Sequence, residues 1–375
     1  MTLNNKLKEA RRKLHMVAET GFLVHETREL IKQLLTGEGI MPHELAGGLV
    51  AETGEGTPCI LLRADMDALP VTDGKDVPYK SLHQGACHAC GHDAHMAMLH
   101  GAALLLKEEL LPGKVRFMFQ PAEETPPGGA LGMIEAGALN GIHMAFAMHL
   151  APWLPFGTVG IKEDTVMAAA DNFTLTIRGR GGHGAMPHQG VDAILAASHT
   201  VTALQALVSR MTDPLDPLVL TVGKISGGTA CNVIADSVIL EGTARSLNPQ
   251  LRSSLPELIK KTAAHVSAAF GAECELDYKF GYPILKNWDT GVNVATEAAA
   301  KVVGEDKIVR MDRPLMGGED FAYILEQVPG AFIFLGTGDE QYPHPLHHPC
   351  FDFNEKILQV GAKLFRELAK SALNR

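Results

Sequence analysis

The stretch VRFMFQPAEE, residues 115–124, places two adjacent carboxylates directly after a short apolar run. Three other apolar runs, Cys59–Leu62, Met144–Met148 and Ala331–Leu335, are also followed by acidic or imidazole side chains. These side chains are Asp65 and Asp67, then His149, then His344, His347 and His348. Short apolar runs that alternate with helix-like segments are typical of an α/β sheet. Because ligands of open α/β sheets bind beyond the carboxyl ends of the strands, we predict that these side chains converge on one site.

The segment from 167 to 279 has a different pattern. Phe173–Ile177 alternates like a half-buried strand, and Val191–Arg210 has helical spacing. Two further strand-like runs, Leu218–Ile225 and Ser237–Thr243, precede another helical stretch near 249–269. We therefore predict a smaller α+β lid or dimerisation domain over 167–279. It would interrupt a larger α/β/α catalytic domain formed by 1–166 and 280–375.

Composition limits the classes of partner. A chain of 375 residues with 46% hydrophobic residues can form two compact domains, and a formal charge of −10 argues against nucleic acid or an anionic membrane as partner. No run approaches the roughly 20 apolar residues that span a bilayer, and the charged N-terminus lacks the apolar region of a signal peptide. The six cysteines are scattered, so reduced thiols and a cytoplasmic location are expected.

The densest chemical motif is GACHACGHDAHMAMLH, residues 85–100. Cys90 and His92 can both face an ion from a bent loop, and Asp93 is predicted to cap the helix that follows. A thiolate and an imidazole suit zinc, with manganese, nickel or cobalt as alternatives. Two adjacent glutamates follow the predicted strand at 115–119. Glu124 can bind the metal, while Glu123 takes a proton from a metal-activated water.

Each of these features has a competing interpretation. Cys87 and Cys90 form a C-x-x-C, which is also found in redox pairs and zinc knuckles, although the sequence holds no second C-x-x-C. Adjacent glutamates are often only a charged turn. Gly179-x-Gly181-x-x-Gly184 matches the dinucleotide fingerprint, but Pro187 delays the helix and no acidic residue follows at the spacing a ribose contact needs.

Five motifs together resemble the M20 metallopeptidase clan, most closely its amidohydrolase branch, which holds N-acyl-L-amino acid amidohydrolases and hippurate hydrolases. The motifs are HACGHDAHM at 88–96, FQPAEE at 119–124, GGHGAMPH at 181–188, NVIAD at 232–236 and LHHPCFDFNE at 346–355. They cover nearly the whole chain. Other members carry a metal-binding His-x-Asp where this chain has Asp65-Met66-Asp67, so both aspartates are expected to support ligands rather than bind metal.

The resemblance implies a centre of two divalent metal ions in the larger domain, with Cys90 as a bridging thiolate. The other implied ligands are His92, Glu124, His149 and His347. Glu123 matches the general base of the family. His183 matches the lid histidine that stabilises the oxyanion, often across a dimer interface, and Asn232 and Arg245 match lid positions that contact the substrate.

The implied reaction is cleavage of the amide bond of an N-acyl-L-amino acid by attack of metal-bound hydroxide, which yields a carboxylate and a free amino acid. A metallo-dipeptidase or carboxypeptidase of the same clan is the alternative within enzymes. A C-x-x-C redox or metal-storage protein is the alternative from another class. The expected partner is a small-molecule substrate, with a homodimer through the lid domain as a further expectation.

Overall fold

The computed structural model describes residues 2–375. The helices, in chain order, are α1 (Leu3–Met16), α2 (His25–Thr36), α3 (His92–Leu106), α4 (Gly129–Glu135), α5 (Ala193–Ala206), α6 (Pro249–Ala269), α7 (Asp289–Val303), α8 (Ala322–Leu325) and α9 (Ile357–Leu373). The strands are β1 (His43–Leu45), β2 (Gly48–Gly54), β3 (Cys59–Asp65), β4 (Lys114–Gln120), β5 (Ile142–Pro155), β6 (Val159–Ile161), β7 (Thr165–Met167), β8 (Ala169–Arg178), β9 (Gly182–His183), β10 (Leu218–Gly227), β11 (Val233–Ile234), β12 (Ser237–Ser246), β13 (Glu273–Tyr282), β14 (Leu285–Lys286), β15 (Ile308–Arg310) and β16 (Gly330–Gly338). Within 2–375, no helix is long and apolar enough to cross a membrane.

The chain divides into two compact units. The larger unit holds residues 2–166, 286–314 and 320–375, and the smaller unit holds 167–285 and 315–319. The smaller unit therefore continues six residues past the predicted boundary at 279, because β13 runs on to Tyr282. It also takes a short segment, 315–319, from the C-terminal part of the chain.

The larger unit is built on a mixed sheet with strand order β1-β2-β4-β3-β5-β16-β6-β15 among the described residues. Its centre, β4-β3-β5-β16, is parallel, so the carboxyl ends of these four strands share one edge. Pairing of Asp65 with Gln120 and of His149 with Phe334 sets the register there. This is the edge at which the sequence predicted a site.

Helix α3 is buried on nearly all sides, as its continuous apolar sequence requires. It packs against α1 and α9 at close range through Gly101, where a Cβ atom would lie 2.5 Å from Leu7 Cδ2 and 2.8 Å from Ala362 Cβ. The tight packing fixes the start of α3, and with it the loop that precedes the helix.

The smaller unit has an antiparallel sheet of order β10-β12-β8-β13 packed against α5 and α6, plus the two-stranded pair β9–β11. Its core is apolar and separate from that of the larger unit. The predicted α/β fold class, with a smaller α+β part, is confirmed.

Candidate metal centre

The predicted metal ligands lie at or beyond the carboxyl ends of the central strands. Cys90 is in the loop before α3, His92 is the first residue of α3, and Glu124 is in the turn after β4. His149 lies in β5, and His347 lies in the loop between β16 and α9. The backbone is left-handed at Gly91 (φ 93°), Ala122 (φ 57°) and His347 (φ 67°). These sharp turns lie in three of the four segments that carry the predicted ligands, and His149 comes from the fourth, β5.

The donor atoms form two overlapping groups that share one thiol. One group is Cys90, His92 and His149, and the other is Cys90, Glu124 and His347, with the donor atoms of each group within 4.8 Å of one another. Cys90 Sγ lies 3.3 Å from His149 Nε2, and Glu124 Oε1 lies 3.4 Å from His347 Nε2 and 3.9 Å from His92 Nε2. A shared sulfur between two ligand sets is the arrangement that a thiolate bridging two ions requires.

Hydrogen bonds on the far side of each ring fix which nitrogen of two of the histidines faces the cluster. His92 Nδ1 donates to the carbonyl oxygen of Asp67 at 2.7 Å, and His149 Nδ1 donates to that of Leu150 at 2.8 Å. A carbonyl can only accept, so Nδ1 carries the proton and the Nε2 lone pair of each ring faces the cluster. Such outer hydrogen bonds are the usual means by which proteins orient metal-binding imidazoles.

The cluster is electrostatically suited to cations. His92 Nε2 and Glu124 Oε1 are buried and have no hydrogen-bond partner among the described residues. Burial raises the pKa of the Cys90 thiol well above its usual range, and the charges of Glu124, Glu123 and Asp65 raise it further. Burial lowers the pKa of His92, but Asp65, Asp67 and Glu124 together outweigh burial and raise that pKa to about 10. Divalent cations would take the place of these protons, so the donor set fits two metal ions.

Asp67 positions the two glutamates. Its carboxylate is fully buried and accepts the backbone N–H of Glu123 at 2.8 Å and that of Glu124 at 3.1 Å. Glu123 is itself buried, and its charge acts on the Cys90 thiol. Asp67 thus supports the turn, in agreement with the expectation that it does not bind metal.

The predicted cap by Asp93 is wrong. The N-cap position of α3 is Gly91, and no side chain caps it. The carboxylate of Asp93 accepts from Arg11 Nε at 2.8 Å and lies 2.6 Å from His15 Nδ1, both in α1. Its other oxygen accepts the backbone N–H of Ala94, in the first turn of α3, at 2.9 Å, so the side chain binds the helix from inside its first turn rather than from the N-cap position.

A buried ionic network behind the site was missed by the sequence reasoning. Arg63 in β3 donates to Asp65 Oδ2 and to Asp320 Oδ1, both at 2.7 Å, and to Gln120 Oε1 at 2.9 Å. Asp65 in turn lies 2.7 Å from His95 Nδ1, and His95 Nε2 accepts the backbone N–H of Leu150. The network holds the strand ends that carry the ligands. The polar residue Arg63, inside an apolar strand, is the signal that could have revealed it.

Cys87 faces a different environment from Cys90. Its thiol is fully buried, accepts from Lys75 Nζ at 3.4 Å, and groups with His15 and Asp73. Both cysteines are free thiols. The two members of the C-x-x-C therefore have separate partners.

The remaining predicted residues lie in the smaller unit. His183 is exposed in β9 and pairs with Val233 of β11, and Asn232 accepts the backbone N–H of Gly184 through its carbonyl. His183 Nδ1 accepts from the backbone of Ala185, which leaves Nε2–H as a donor. Arg245 is half-buried in β12, and burial lowers its pKa. The structure thus brings His183, in β9, close to Asn232, which directly precedes β11.

A mixed α/β sheet whose parallel central strands carry two overlapping groups of donor atoms at their carboxyl edge fits a hydrolase with a dinuclear metal centre. The sequence model of the peptidase family M20/M25/M40 matches residues 61–371, and the chain belongs to this family. It is similar to the N-acetyl-L-cysteine deacetylase of Bacillus subtilis, with 42% identity over 100% of this chain and 89% of the relative. It is also similar to an N-acetylcysteine deacetylase of the same organism, with 40% identity over 98% and 96% of the two chains.

Among solved structures, the chain resembles the Bacillus subtilis YXEP protein, described as a dinuclear metal binding peptidase from the M20 family. The TM-score is 0.86, with 36% identity over 99% of both chains. These findings confirm the predicted family, the hydrolase class and the cofactor of two metal ions.

Proposed function

We propose that the protein hydrolyses the amide bond of N-acyl-L-amino acids to a carboxylate and a free amino acid. The observation that carries the proposal is the sharing of Cys90 between two ligand groups, with the buried carboxylate of Glu123 beside them. The activity named for both Bacillus subtilis relatives, removal of an acetyl group from N-acetylcysteine, supports an acylated amino acid over a dipeptide as substrate.

The proposed ligands are Cys90, His92, Glu124, His149 and His347. Two divalent ions, when bound, polarise the amide carbonyl and lower the pKa of a coordinated water. Cys90 would supply the bridging thiolate, and the Nε2 lone pairs of His92 and His149 support their assignment. Zinc, manganese, nickel and cobalt all match this mixture of sulfur, nitrogen and oxygen donors.

Glu123 is the proposed general base. Its carboxylate takes one proton from the attacking water and gives it to the leaving nitrogen, so that amide and water become a carboxylic acid and an amine. The acid then loses its proton to the amine, which gives the carboxylate and the ammonium form of the amino acid. His183 is the proposed donor to the developing oxyanion, from its own chain or a partner's, and its Nε2–H supports this role. Asn232 and Arg245 are the proposed contacts to the substrate, with Arg245 facing its carboxylate.

A homodimer through the lid is part of the proposal. Strand β10 is an edge of the sheet in the smaller unit, and its side chains Val219 and Ile225 are exposed. A free edge with apolar side chains favours pairing with a second copy. Ile225→Lys should shift the mass measured by light scattering towards the monomer.

A cytoplasmic location is also proposed, and the free state of all six cysteines supports it.

The test is release of free amine from N-acetyl-L-cysteine, other N-acyl amino acids and dipeptides. The protein is assayed after chelation and again with added zinc or manganese. Metal-restored cleavage of the acyl amino acids is expected, and preference for dipeptides would instead identify a dipeptidase. Absence of hydrolysis with every metal would reject the proposal.

Substitutions of two adjacent residues distinguish the role of the proposed base from that of a proposed metal ligand. Glu123→Gln should retain both metal ions and lose at least about 100-fold in kcat, since a positioned base contributes roughly 10²–10⁴-fold. Glu124→Gln should lose metal, and Glu135→Gln, an exposed change in α4, serves as the control.

A further inference from the structure

The loop between β16 and α9 carries a second set of metal-binding side chains beside His347. His344, His348 and Cys350 offer two imidazoles and a thiol whose donor atoms lie within 4.8 Å of one another. All three side chains are half-buried. The two imidazole rings are stacked, with centroids 4.2 Å apart and planes 5° from parallel.

The spacing is close to that of an occupied site. Two ligands of a tetrahedral zinc ion, at about 2.0–2.3 Å from the metal, are separated by roughly 3.3–3.8 Å. Rotations of the side chains must bring the three donors to this separation and tilt the two nearly parallel rings so that their nitrogen lone pairs meet at one ion. Water can complete the coordination.

The position of the thiol is fixed by its surroundings. A Cβ atom on Gly74 would lie 3.0 Å from Cys350 Sγ, so the absence of a side chain at Gly74 leaves room for the sulfur. The backbone N–H of Gly74 donates to the carbonyl of Pro349 at 3.0 Å and holds the loop in place. The thiol therefore stays beside the two rings.

The hydrogen bonding of His348 selects the class of ion. Its Nδ1 accepts the backbone N–H of Cys350 at 3.0 Å, so the neutral ring carries its proton on Nε2. A cation must displace either this hydrogen bond or that proton. Ions with strong affinity for nitrogen and sulfur, such as Zn²⁺, can do so, whereas Mg²⁺ and Mn²⁺ prefer oxygen ligands.

We propose that His344, His348 and Cys350 form an additional zinc site, separate from the catalytic pair of ions. The ion steadies the loop that presents His347, whose backbone N–H donates to the carbonyl of Ala89 at 2.8 Å. Because His344 and His348 lie on either side of His347 in sequence, an ion held by both restrains its backbone. The site uses neither Cys90 nor Glu124, nor any other of the proposed catalytic ligands.

The test is zinc stoichiometry of the full-length, tag-free protein by equilibrium dialysis and elemental analysis. Wild type should bind about one more zinc ion per chain than His344→Ala or Cys350→Ser. Cys274→Ser, a change of a half-buried cysteine in the smaller unit, should bind as wild type does. With cobalt in place of zinc, Cys350→Ser should lose part of the thiolate-to-cobalt absorption and keep the part due to Cys90.

Equal stoichiometry in wild type and both variants would overturn the proposal, whatever the activity. If a variant fails to fold, alkylation of wild-type Cys350, followed by peptide mapping, gives the answer instead. Zinc should protect Cys350 from alkylation and manganese should not. Alkylation at the same rate with and without zinc would reject the site.

Discussion

Asp67 and Glu123 are joined by a hydrogen bond from a backbone N–H to a buried carboxylate, 2.8 Å long. The second oxygen of Asp67 accepts from Glu124, and the carbonyl of Asp67 accepts from His92. One residue just beyond β3 thus holds the proposed base and two proposed ligands. The turn that it supports includes Ala122 in a left-handed conformation (φ 57°), which an alanine adopts only when its surroundings impose it.

Asp67→Asn should weaken metal binding and turnover by about 10- to 100-fold, the usual effect of losing a residue that orients metal ligands. The oxygen of the asparagine side chain can accept only one of the two backbone N–H groups. Its NH₂ group would face the other N–H, so that two donors would oppose each other. Metal titration and kcat measure the effect. Asp192→Asn is the matched control, because Asp192 also accepts two backbone N–H groups, those of Ile194 and Leu195. Equal metal affinity in the Asp67 variant and wild type would contradict the positioning role.

Arg63→Met should destabilise the fold by about 3–5 kcal/mol, because it leaves the buried carboxylates of Asp65 and Asp320 without their cation. Denaturant unfolding measures the loss. Arg178→Met removes an arginine from an exposed pair with Glu275 and should cost less than about 1 kcal/mol. Similar losses in the two variants would show that the Arg63 network adds nothing beyond a surface pair.

The contrast between predicted and missed residues has a physical cause. Strand ends are readable from local apolar patterning, so Asp67, the paired glutamates and His149 could be assigned to one edge of the sheet. The partners of Arg63 and Asp93 could not be predicted in this way. Asp320 is 257 positions from Arg63, and Arg11 is 82 positions from Asp93. The bond from the N–H of Ala94 to Asp93 is local, whereas the pairing of Asp93 with Arg11 is brought about by tertiary packing.

His15 gives the protein a dependence of stability on pH. Burial lowers the pKa of His15, but the charge of Asp93 and the hydrogen bond to Asp73 outweigh it and raise the pKa to about 10. Its contribution is therefore fully present below the unfolded pKa of about 6.5 and is lost as pH rises towards 10. Lys75, Arg11 and the buried His88 also face this cluster. The contribution of His15 to the pH dependence of stability is therefore measured by comparing wild type with a His15 variant.

The free energy of unfolding of the chelated protein should fall between about pH 6.5 and 10 more steeply in wild type than in His15→Gln. His265→Gln, a change of an exposed histidine in α6, should follow wild type. Urea unfolding at several pH values in this window provides the comparison. Parallel curves for wild type and His15→Gln would show that His15 is not charged in the folded protein.

Cys87 and Cys90 should respond differently to substitution, since each thiol has its own partners. Cys90→Ala removes the sulfur shared by two ligand groups and should abolish binding of at least one catalytic ion, together with turnover. Cys87→Ala removes the acceptor of the Lys75 hydrogen bond and a contact with His15, and should keep metal content and activity, at a cost in stability of about 1–3 kcal/mol. Elemental analysis and the amine-release assay measure both. A redox pair would require the two thiols equally, so equal loss of activity in both variants, with metal retained, would favour that interpretation over the metal centre.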